Sequence, residues 1–193
     1  LEFRRVLFRS RELGAAPAIQ LGHGGRRSGV RPPWQGRAAL NAEDAAKGLG
    51  PWQPVSSSAI PHAPGRRVPT ALDAQGVRDE IAAWRDAAAR SLDAGFDIIE
   101  LHGAHGYLIN QFLSPVANRR TDAYGGDLQG RMRFALELVE AVRSAWPKEK
   151  PLLFRVSSVD GKGGHWGIDD TRSEEHTSEL QSHLNLVCRL LLE

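Results

Sequence analysis

The sequence predicts an α/β fold built on a parallel sheet. Three short apolar runs, each of the length of a buried strand, lie at residues 18–23, 96–102 and 152–157. Amphipathic helical patterns at about 73–94 and 128–145 alternate with these runs. The order strand, helix, strand, helix, strand implies parallel strands joined by right-handed crossovers. An open doubly wound sheet and a barrel both fit this order.

The first helical pattern, at about 73–94, follows the first apolar run. Its apolar positions recur every three or four residues, at Val77, Ile81, Trp84, Ala88 and Leu92. Thr70 or Asp73 suits the N-cap, because its side-chain oxygen can accept hydrogen bonds from the first free backbone N–H groups. Gly95 suits the left-handed position just beyond the helix end.

The second helical pattern, at about 128–145, lies between the second and third runs. Its apolar face consists of Met132, Ala135, Leu136, Val139 and Val142. We expect the helix to end at Trp146-Pro147, because a proline ring cannot continue the helical hydrogen bonding.

Residues 22–70 are rich in glycine, proline and serine, and they are too many for a plain connection in a compact domain. We expect this excursion to lie over a functional site. The sequence Gly-His-Gly-Gly at 22–25 lacks a full phosphate-loop pattern. It is better interpreted as a tight turn that leaves the first strand.

The composition is that of a globular protein, with 193 residues of which 41% are hydrophobic and 25% charged. No stretch approaches the roughly 20 apolar residues of a membrane span. Residues 1–10 lack the apolar core of a secretory signal. The single cysteine excludes an intrachain disulfide framework, so we expect a cytoplasmic protein without a membrane partner.

The net charge of +2 is a poor argument for nucleic-acid binding, and no nucleic-acid partner is expected. The arginines do form two clusters. These are Arg26, Arg27 and Arg31, and then Arg119 and Arg120. We interpret both clusters as solvated loop side chains, with a phosphate-contacting patch as the alternative.

The two ends differ in character from the middle. Residues 1–11 hold four arginines and one glutamate, whereas residues 172–193 hold two arginines and four glutamates. Both ends resemble translated sequencing-adapter read-through, so we expect a non-native leader at 1–11, a partial domain at 12–171 and a non-native tail at 172–193. The alternative for the tail is a native amphipathic helix with apolar positions Leu180, Leu184, Val187 and Leu191.

Strand alternation predicts which polar groups point together. Glu100 and His102 share one face of the second strand, while Gln20 and Arg155 lie on the first and third strands. In a barrel these four side chains would converge on one lumen. A buried arginine and a buried glutamate need partners or a ligand.

The second strand ends in His102-x-x-His105 followed by Tyr107. If the chain turned helical here, both imidazoles would lie on one face. A zinc site lacks a third ligand at suitable spacing, so no metal is expected. Two alternatives stay open: imidazoles that donate to one electron-rich oxygen, as in stabilising an oxyanion, or packing histidines at a helix start.

Several ordered stretches carry a family resemblance. They lie at 19–26, 95–108, 111–115, 118–122, 124–126 and 154–157. They resemble the Old Yellow Enzyme family of FMN-dependent ene-reductases, also described as NADH:flavin oxidoreductases. The excursion at 30–70 is most similar in shape to the YqjM-like, xenobiotic-reductase class. The resemblance covers most of 17–160.

The resemblance implies an incomplete (β/α)8 TIM barrel, of which the three runs are about the third to fifth strands. FMN would lie at their carboxyl ends against Gln20, Arg155 and His102. His102 and His105 would hold a substrate carbonyl, and Tyr107 would donate a proton.

The resemblance also implies the reaction. NADPH or NADH would reduce the flavin, and flavin N5 would pass hydride to the C=C bond of an α,β-unsaturated carbonyl compound. The substrate partner would be a small enone. The longer parent protein could form a homo-oligomer. The alternatives are the flavin domain of an iron–sulfur dienoyl reductase, a non-catalytic fragment or a metal hydrolase. The strands that grip the FMN phosphate have no counterpart here, so we expect this chain alone not to hold FMN tightly.

Overall fold

A parallel three-stranded sheet lies at the centre of the protein in a computed structural model, which describes residues 2–50, 52–160 and 166–171. The strands are β1 (Ala18–Leu21), β2 (Val55–Ser56), β3 (Thr70–Ala71), β4 (Ile98–Gly103) and β5 (Leu152–Val156). The helices are α1 (Glu2–Glu12), α2 (Ala42–Ala46), α3 (Ala74–Ala94), α4 (Leu108–Leu113) and α5 (Leu128–Ala145).

The central sheet has the order β1-β4-β5, with all neighbours parallel. The predicted parallel α/β arrangement is therefore confirmed, and α3 and α5 supply the two crossovers. In this register Gln20 lies opposite Glu100, and His102 lies opposite Arg155. Within the described residues the sheet is open rather than closed into a barrel.

Helix α3 has the caps that the sequence predicts. The Asp73 carboxylate accepts a hydrogen bond from Gly76 N at 2.7 Å, so the N-cap is Asp73. Thr70 belongs to β3 instead. Gly95 ends the helix with φ of 96°, and its N–H donates to Leu92 O at 2.9 Å.

Helix α5 ends where proline was expected to stop it. Trp146 is extended, with φ of −113°, directly before Pro147. Buried side chains of α5 pack with α3 and with the sheet residues Ile99 and Leu101, both of which are completely buried. Full burial of such an aliphatic side chain contributes about 1.5–3 kcal/mol. This core holds the carboxyl ends of β4 and β5 in fixed positions.

The excursion at 22–70 contains more regular structure than the predicted loop. Asn41 and Asp44 form a reciprocal capping box that starts α2, and β2 pairs with β3 in a separate parallel pair. The spacing Asn-x-x-Asp is a sequence signal for such a cap. The two-residue strands have no comparable signal, because they are too short for alternation to be visible.

The first helix, α1, contacts the rest of the chain. Leu7 is buried in the hydrophobic core, and Arg11 Nε donates to the Asp97 carboxylate at 2.9 Å. These contacts do not bear on the origin of residues 1–11, so the leader and the domain limits stay predictions. The predicted tail at 172–193 lies outside the described residues. No helix among the described residues is long and apolar enough to cross a membrane.

Candidate functional site

The carboxyl end of β4 brings three polar rings together. His102 is the penultimate residue of this strand, and the centroid of its ring lies 5.0 Å from that of His105 and 5.0 Å from that of Tyr107. The His102 ring meets both neighbours edge to face, with interplanar angles of 69° and 82°. The structure thus assembles the three residues that the resemblance implies to be catalytic.

A left-handed turn, and not a helix, produces this cluster. His105 has φ of 59° and Gly106 has φ of 66°, while α4 begins only at Leu108. The helical geometry that would place the two imidazoles on one face is therefore absent at 102–105, and both histidines precede α4. The left-handed region is costly for a residue with a Cβ, so other contacts must hold this backbone.

Tertiary hydrogen bonds hold the turn. His105 N donates to Ser157 Oγ at 3.0 Å, just beyond β5. Gly106 N donates to Asn110 Oδ1 at 2.9 Å, and Arg27 Nη1 donates to His105 O at 2.6 Å. The turn is therefore fixed from α4, from the end of β5 and from the excursion.

His102 is a neutral imidazole at physiological pH. It is 5% exposed, and burial lowers its pKa to about 4, assisted by the nearby His105 and Arg155. Glu100 acts in the opposite direction but more weakly. The buried Nδ1 atom of His102 has no hydrogen-bond partner among the described residues. A neutral ring with an unused nitrogen is suited to contact a ligand.

The other predicted side chains, those of Gln20, Glu100 and Arg155, lie on the same face of the sheet as His102. Gln20 Nε2 donates to Glu100 Oε1 across the β1–β4 pair, and Arg155 lies beside His105 on β5. Glu100 and Arg155 are half-buried rather than buried, whereas Gln20 is exposed. Strand alternation therefore predicts the shared face correctly, and the two charges find protein partners there.

A cleft of about 740 Å³ opens at these strand ends. Its walls include His105 and Tyr107 from the β4 turn, Arg155 from β5, and Arg27 and His62 from the excursion. Residues of the excursion thus line this cleft, and its role over a functional site stays a prediction. Residues from separate elements meet at the edge where parallel α/β folds bind ligands.

Gln111 supports this cleft, and the pattern analysis did not single it out. Its completely buried amide donates to Gly106 O at 2.6 Å and to Gly24 O at 3.2 Å, and accepts from Arg26 N at 3.2 Å. Gln111 thus joins the turn after β4 to the turn after β1. Its only sequence signal is its position in the family-like stretch 111–115.

The interpretation of the arginine clusters as solvated side chains is wrong for Arg27 and Arg120, and Arg26 and Arg31 are likewise bonded to protein groups. Arg27 holds the His105 carbonyl, as described above. The Arg120 side chain is 9% exposed, and it donates to Ser57 O at 2.9 Å and pairs with Asp122 at 2.5 Å. Both side chains make fixed contacts across the chain.

A metal site has no support in the described part of the chain, where no three histidine, cysteine, aspartate or glutamate side chains are placed to hold an ion. His102 and His105 have Glu100 nearby, but its carboxylate is bonded to Gln20. The arrangement presents the His105 imidazole, the Tyr107 phenol and the Arg155 guanidinium to one cleft, with the neutral ring of His102 packed against the first two.

Comparisons with known proteins show the family of this chain. A model of the NADH:flavin oxidoreductase / NADH oxidase family matches residues 3–187. An NADPH dehydrogenase of Clostridium acetobutylicum is 44% identical over 154 residues, which are 80% of this chain and 40% of that protein. An NADH:flavin oxidoreductase of Gibberella zeae is 43% identical over 145 residues, which are 74% of this chain and 34% of that protein. The chain spans about two fifths or less of these relatives.

Two solved structures share the fold. Histamine dehydrogenase from Rhizobium sp. 4-9 superposes with a TM-score of 0.70 at 32% identity, covering 89% of this chain and 23% of that protein. Morphinone reductase superposes with a TM-score of 0.64 at 31% identity, covering 81% and 41%. The open sheet is therefore part of a TIM-barrel fold like that of morphinone reductase.

Proposed function

This chain belongs to the NADH:flavin oxidoreductase / NADH oxidase family, and on that premise we propose that it is the substrate-holding part of an FMN-dependent NAD(P)H oxidoreductase. The substrates are small molecules with a C=C bond conjugated to a carbonyl group. The observation that carries this proposal is that His105 and Tyr107 line the cleft while the ring of each lies 5.0 Å, centroid to centroid, from the buried ring of His102.

The residues present fit a flavin at the strand ends. The Gln20 amide and the Arg155 guanidinium lie on the same face as His102, whose Nδ1 has no partner among the described residues. Gly22 lies against His102, and a Cβ there would be 3.3 Å from the His102 Cβ. The glycine therefore gives the His102 side chain room beside the end of β1. FMN would supply hydride to the substrate after reduction by NADPH or NADH.

The protein side chains would act on the substrate oxygen. His102 and His105 would each donate a hydrogen bond to the carbonyl oxygen, and these bonds strengthen as negative charge grows on it. The neutral state of His102 favours donation without the desolvation cost of a buried imidazolium. The Tyr107 hydroxyl would give a proton to the carbon next to the carbonyl, as a general acid.

The activity of the whole protein follows from this proposal together with the family. Its partners are a small enone and a reduced nicotinamide. A cytoplasmic location fits the single cysteine among 193 residues.

Anaerobic stopped-flow absorbance of the complete protein tests the proposal. NADPH or NADH should bleach the flavin band, and 2-cyclohexenone should restore it. His102→Asn and His105→Asn should slow the restoration by about 10²- to 10³-fold, whereas Tyr107→Phe should slow it by about 10²-fold or more. Arg85→Gln is the control, because Arg85 is exposed on α3 and pairs only with Asp86. A reduced flavin that enones do not reoxidise contradicts the proposal.

A further inference from the structure

A second cavity, of about 250 Å³, lies inside the excursion and adjoins the cleft. Six arginines line it: Arg26, Arg27, Arg31, Arg37, Arg66 and Arg67. We call it the arginine cavity. None of the described residues that line it is an aspartate or a glutamate. A cavity with this lining has a positive potential that favours an anion.

Protein contacts neutralise only part of this charge. Arg31 pairs with Asp44 at 3.1 Å. Arg26 Nη1 donates to Ile60 O at 3.3 Å, and Arg66 Nη2 donates to Arg37 O at 3.0 Å, so both use backbone carbonyls rather than carboxylates. In addition, Arg26 Nε and Arg66 Nη1 are buried without an acceptor in the described residues. An arriving anion would supply the missing acceptors.

The positive charges of the arginine cavity also act on His62. His62 lines both the arginine cavity and the cleft. Burial lowers the pKa of His62, and the charges of Arg27, Arg26 and Arg66 lower it further. The ring therefore adds no positive charge at neutral pH, and the positive potential comes from the guanidinium groups.

The two spaces are continuous. Arg26, Arg27, Arg37, His62 and Tyr107 line both the arginine cavity and the cleft. A single elongated ligand can therefore occupy both, with one end beside Tyr107 and the other among the guanidinium groups. Arginine suits such a role, because its planar fork binds phosphate and carboxylate oxygens in pairs.

We propose that the arginine cavity binds a phosphate or comparably charged anionic group of a ligand whose other end lies in the cleft beside Tyr107. The inference rests on the proposed function for the identity of the cleft, but the anion site itself does not depend on turnover. Two sources offer this chemistry. One is the 2′-phosphate of NADPH, and the other is an anionic substituent of the alkene substrate.

Binding of adenosine 2′,5′-bisphosphate to the complete protein, measured by isothermal titration calorimetry, tests the site. Arg66→Gln and Arg67→Gln should each weaken binding about tenfold, because each removes a charged donor. Arg66→Lys should restore part of the affinity, and Arg85→Gln should leave it unchanged. Arg67 is exposed, so its variant keeps the test valid if Arg66→Gln unfolds. Equal affinities for Arg66→Gln, Arg67→Gln and Arg85→Gln, or no binding at millimolar probe, would overturn the proposal.

Steady-state kinetics then distinguish the two sources. A fall of about tenfold in kcat/KM for NADPH but not for NADH in Arg66→Gln identifies the reductant's phosphate. A selective fall for cinnamate but not for cinnamaldehyde identifies a substrate anion. A third outcome is that Arg66→Gln binds the probe more weakly and yet keeps the ratio of kcat/KM for NADPH to NADH and the ratio for cinnamate to cinnamaldehyde. In that case the cavity holds a free anion only, and the proposal of a ligand shared with the cleft is wrong. If the probe binds and the protein reduces no enone, the proposed function fails and the anion site stands.

Discussion

Nη2 of Arg155 lies 3.3 Å from Nε2 of His105. A guanidinium can only donate hydrogen bonds, so Nε2 of His105 must accept this one and carries no proton. An imidazole that accepts through Nε2 carries its proton on Nδ1. Arg155 thus selects the tautomer that leaves Nδ1–H free to donate to a ligand.

The first prediction concerns this tautomer. In ¹⁵N-labelled protein, the ring nitrogens of His105 should show the Nδ1–H form at pH 7.5. Arg155→Met should abolish the selection, because the methionine side chain cannot donate to Nε2. Long-range ¹H–¹⁵N correlation spectra report both states. A dominant Nε2–H form in the unmodified protein would contradict the assignment.

The second prediction follows from the burial of His102. Its pKa is lowered to about 4, compared with 6.5 for a free imidazole. Between these values the unfolded chain binds more protons than the folded chain, so the free energy of unfolding falls as the pH falls. This residue alone should remove about 2 kcal/mol between pH 7.5 and pH 5. Above about pH 7.5 this position is neutral in both states and its contribution is flat.

Urea unfolding at pH 7.5 and pH 5 measures this effect. His102→Gln should lose stability at both pH values, and its loss on acidification should be smaller than that of the unmodified protein by about 2 kcal/mol. The comparison removes the contributions of other groups, including Asp160, whose pKa is raised mainly by burial. Identical pH dependence in the two proteins would show that His102 titrates normally.

The elements that sequence analysis predicts well are those whose signals are local. Helices α3 and α5 begin at Asp73 and Asp127, and each carboxylate accepts from the N–H three residues later. Caps and apolar spacing lie within a few residues of each other, so the sequence displays them directly. The shared strand face was predictable for a similar reason, because alternation has a fixed period of two.

The turn at His105 and the arginine cavity depend on distant contacts. His105 is held by Arg27, 78 positions away, and by Ser157, 52 positions away. No local pattern reveals such pairings, so spacing alone left the role of the two histidines open. The same limit applies to the arginines of the excursion, since Arg26 and Arg66 meet only after the chain between them has folded.

The third prediction concerns Asn118. Its buried amide donates to Phe112 O and to Tyr124 O, both at 2.7 Å, and its Oδ1 accepts from Arg120 N at 3.0 Å. Asn118→Asp has the same shape but places a carboxylate oxygen against two carbonyl oxygens. We expect a loss of about 2–4 kcal/mol in the free energy of unfolding.

Asn41→Asp is the matched control for this substitution. Asn41 caps α2 through its Oδ1, which accepts from the N–H groups of Glu43 and Asp44. An aspartate accepts the same bonds, so the free energy of unfolding should change by less than about 0.5 kcal/mol. Urea denaturation measures the free energy of unfolding of Asn118→Asp and Asn41→Asp. Similar losses for the two variants would mean that the hydrogen bonds donated by the Asn118 amide do not stabilise the fold.

The last prediction concerns the contact between Gly25 and Gln111. Gly25 has φ of 54°, and a Cβ there would collide with the Gln111 amide. That amide is completely buried and holds Gly106 O and Gly24 O, so it cannot retreat without breaking these bonds. Gly25→Ala should therefore cost about 2–4 kcal/mol, from the left-handed backbone plus the displaced amide. It should also raise KM for the enone, because the turn at Gly106 shifts with Gln111.

Gly36→Ala separates the cost of the left-handed backbone from the cost of the collision with Gln111. Gly36 has φ of 77°, and a Cβ there meets nothing within 4 Å, so this variant bears only the backbone cost of about 1 kcal/mol. The difference between the two variants in urea unfolding therefore measures the collision with Gln111. Equal losses, with an unchanged KM for Gly25→Ala, would show that Gln111 does not support the turn that presents His105 and Tyr107 to the cleft.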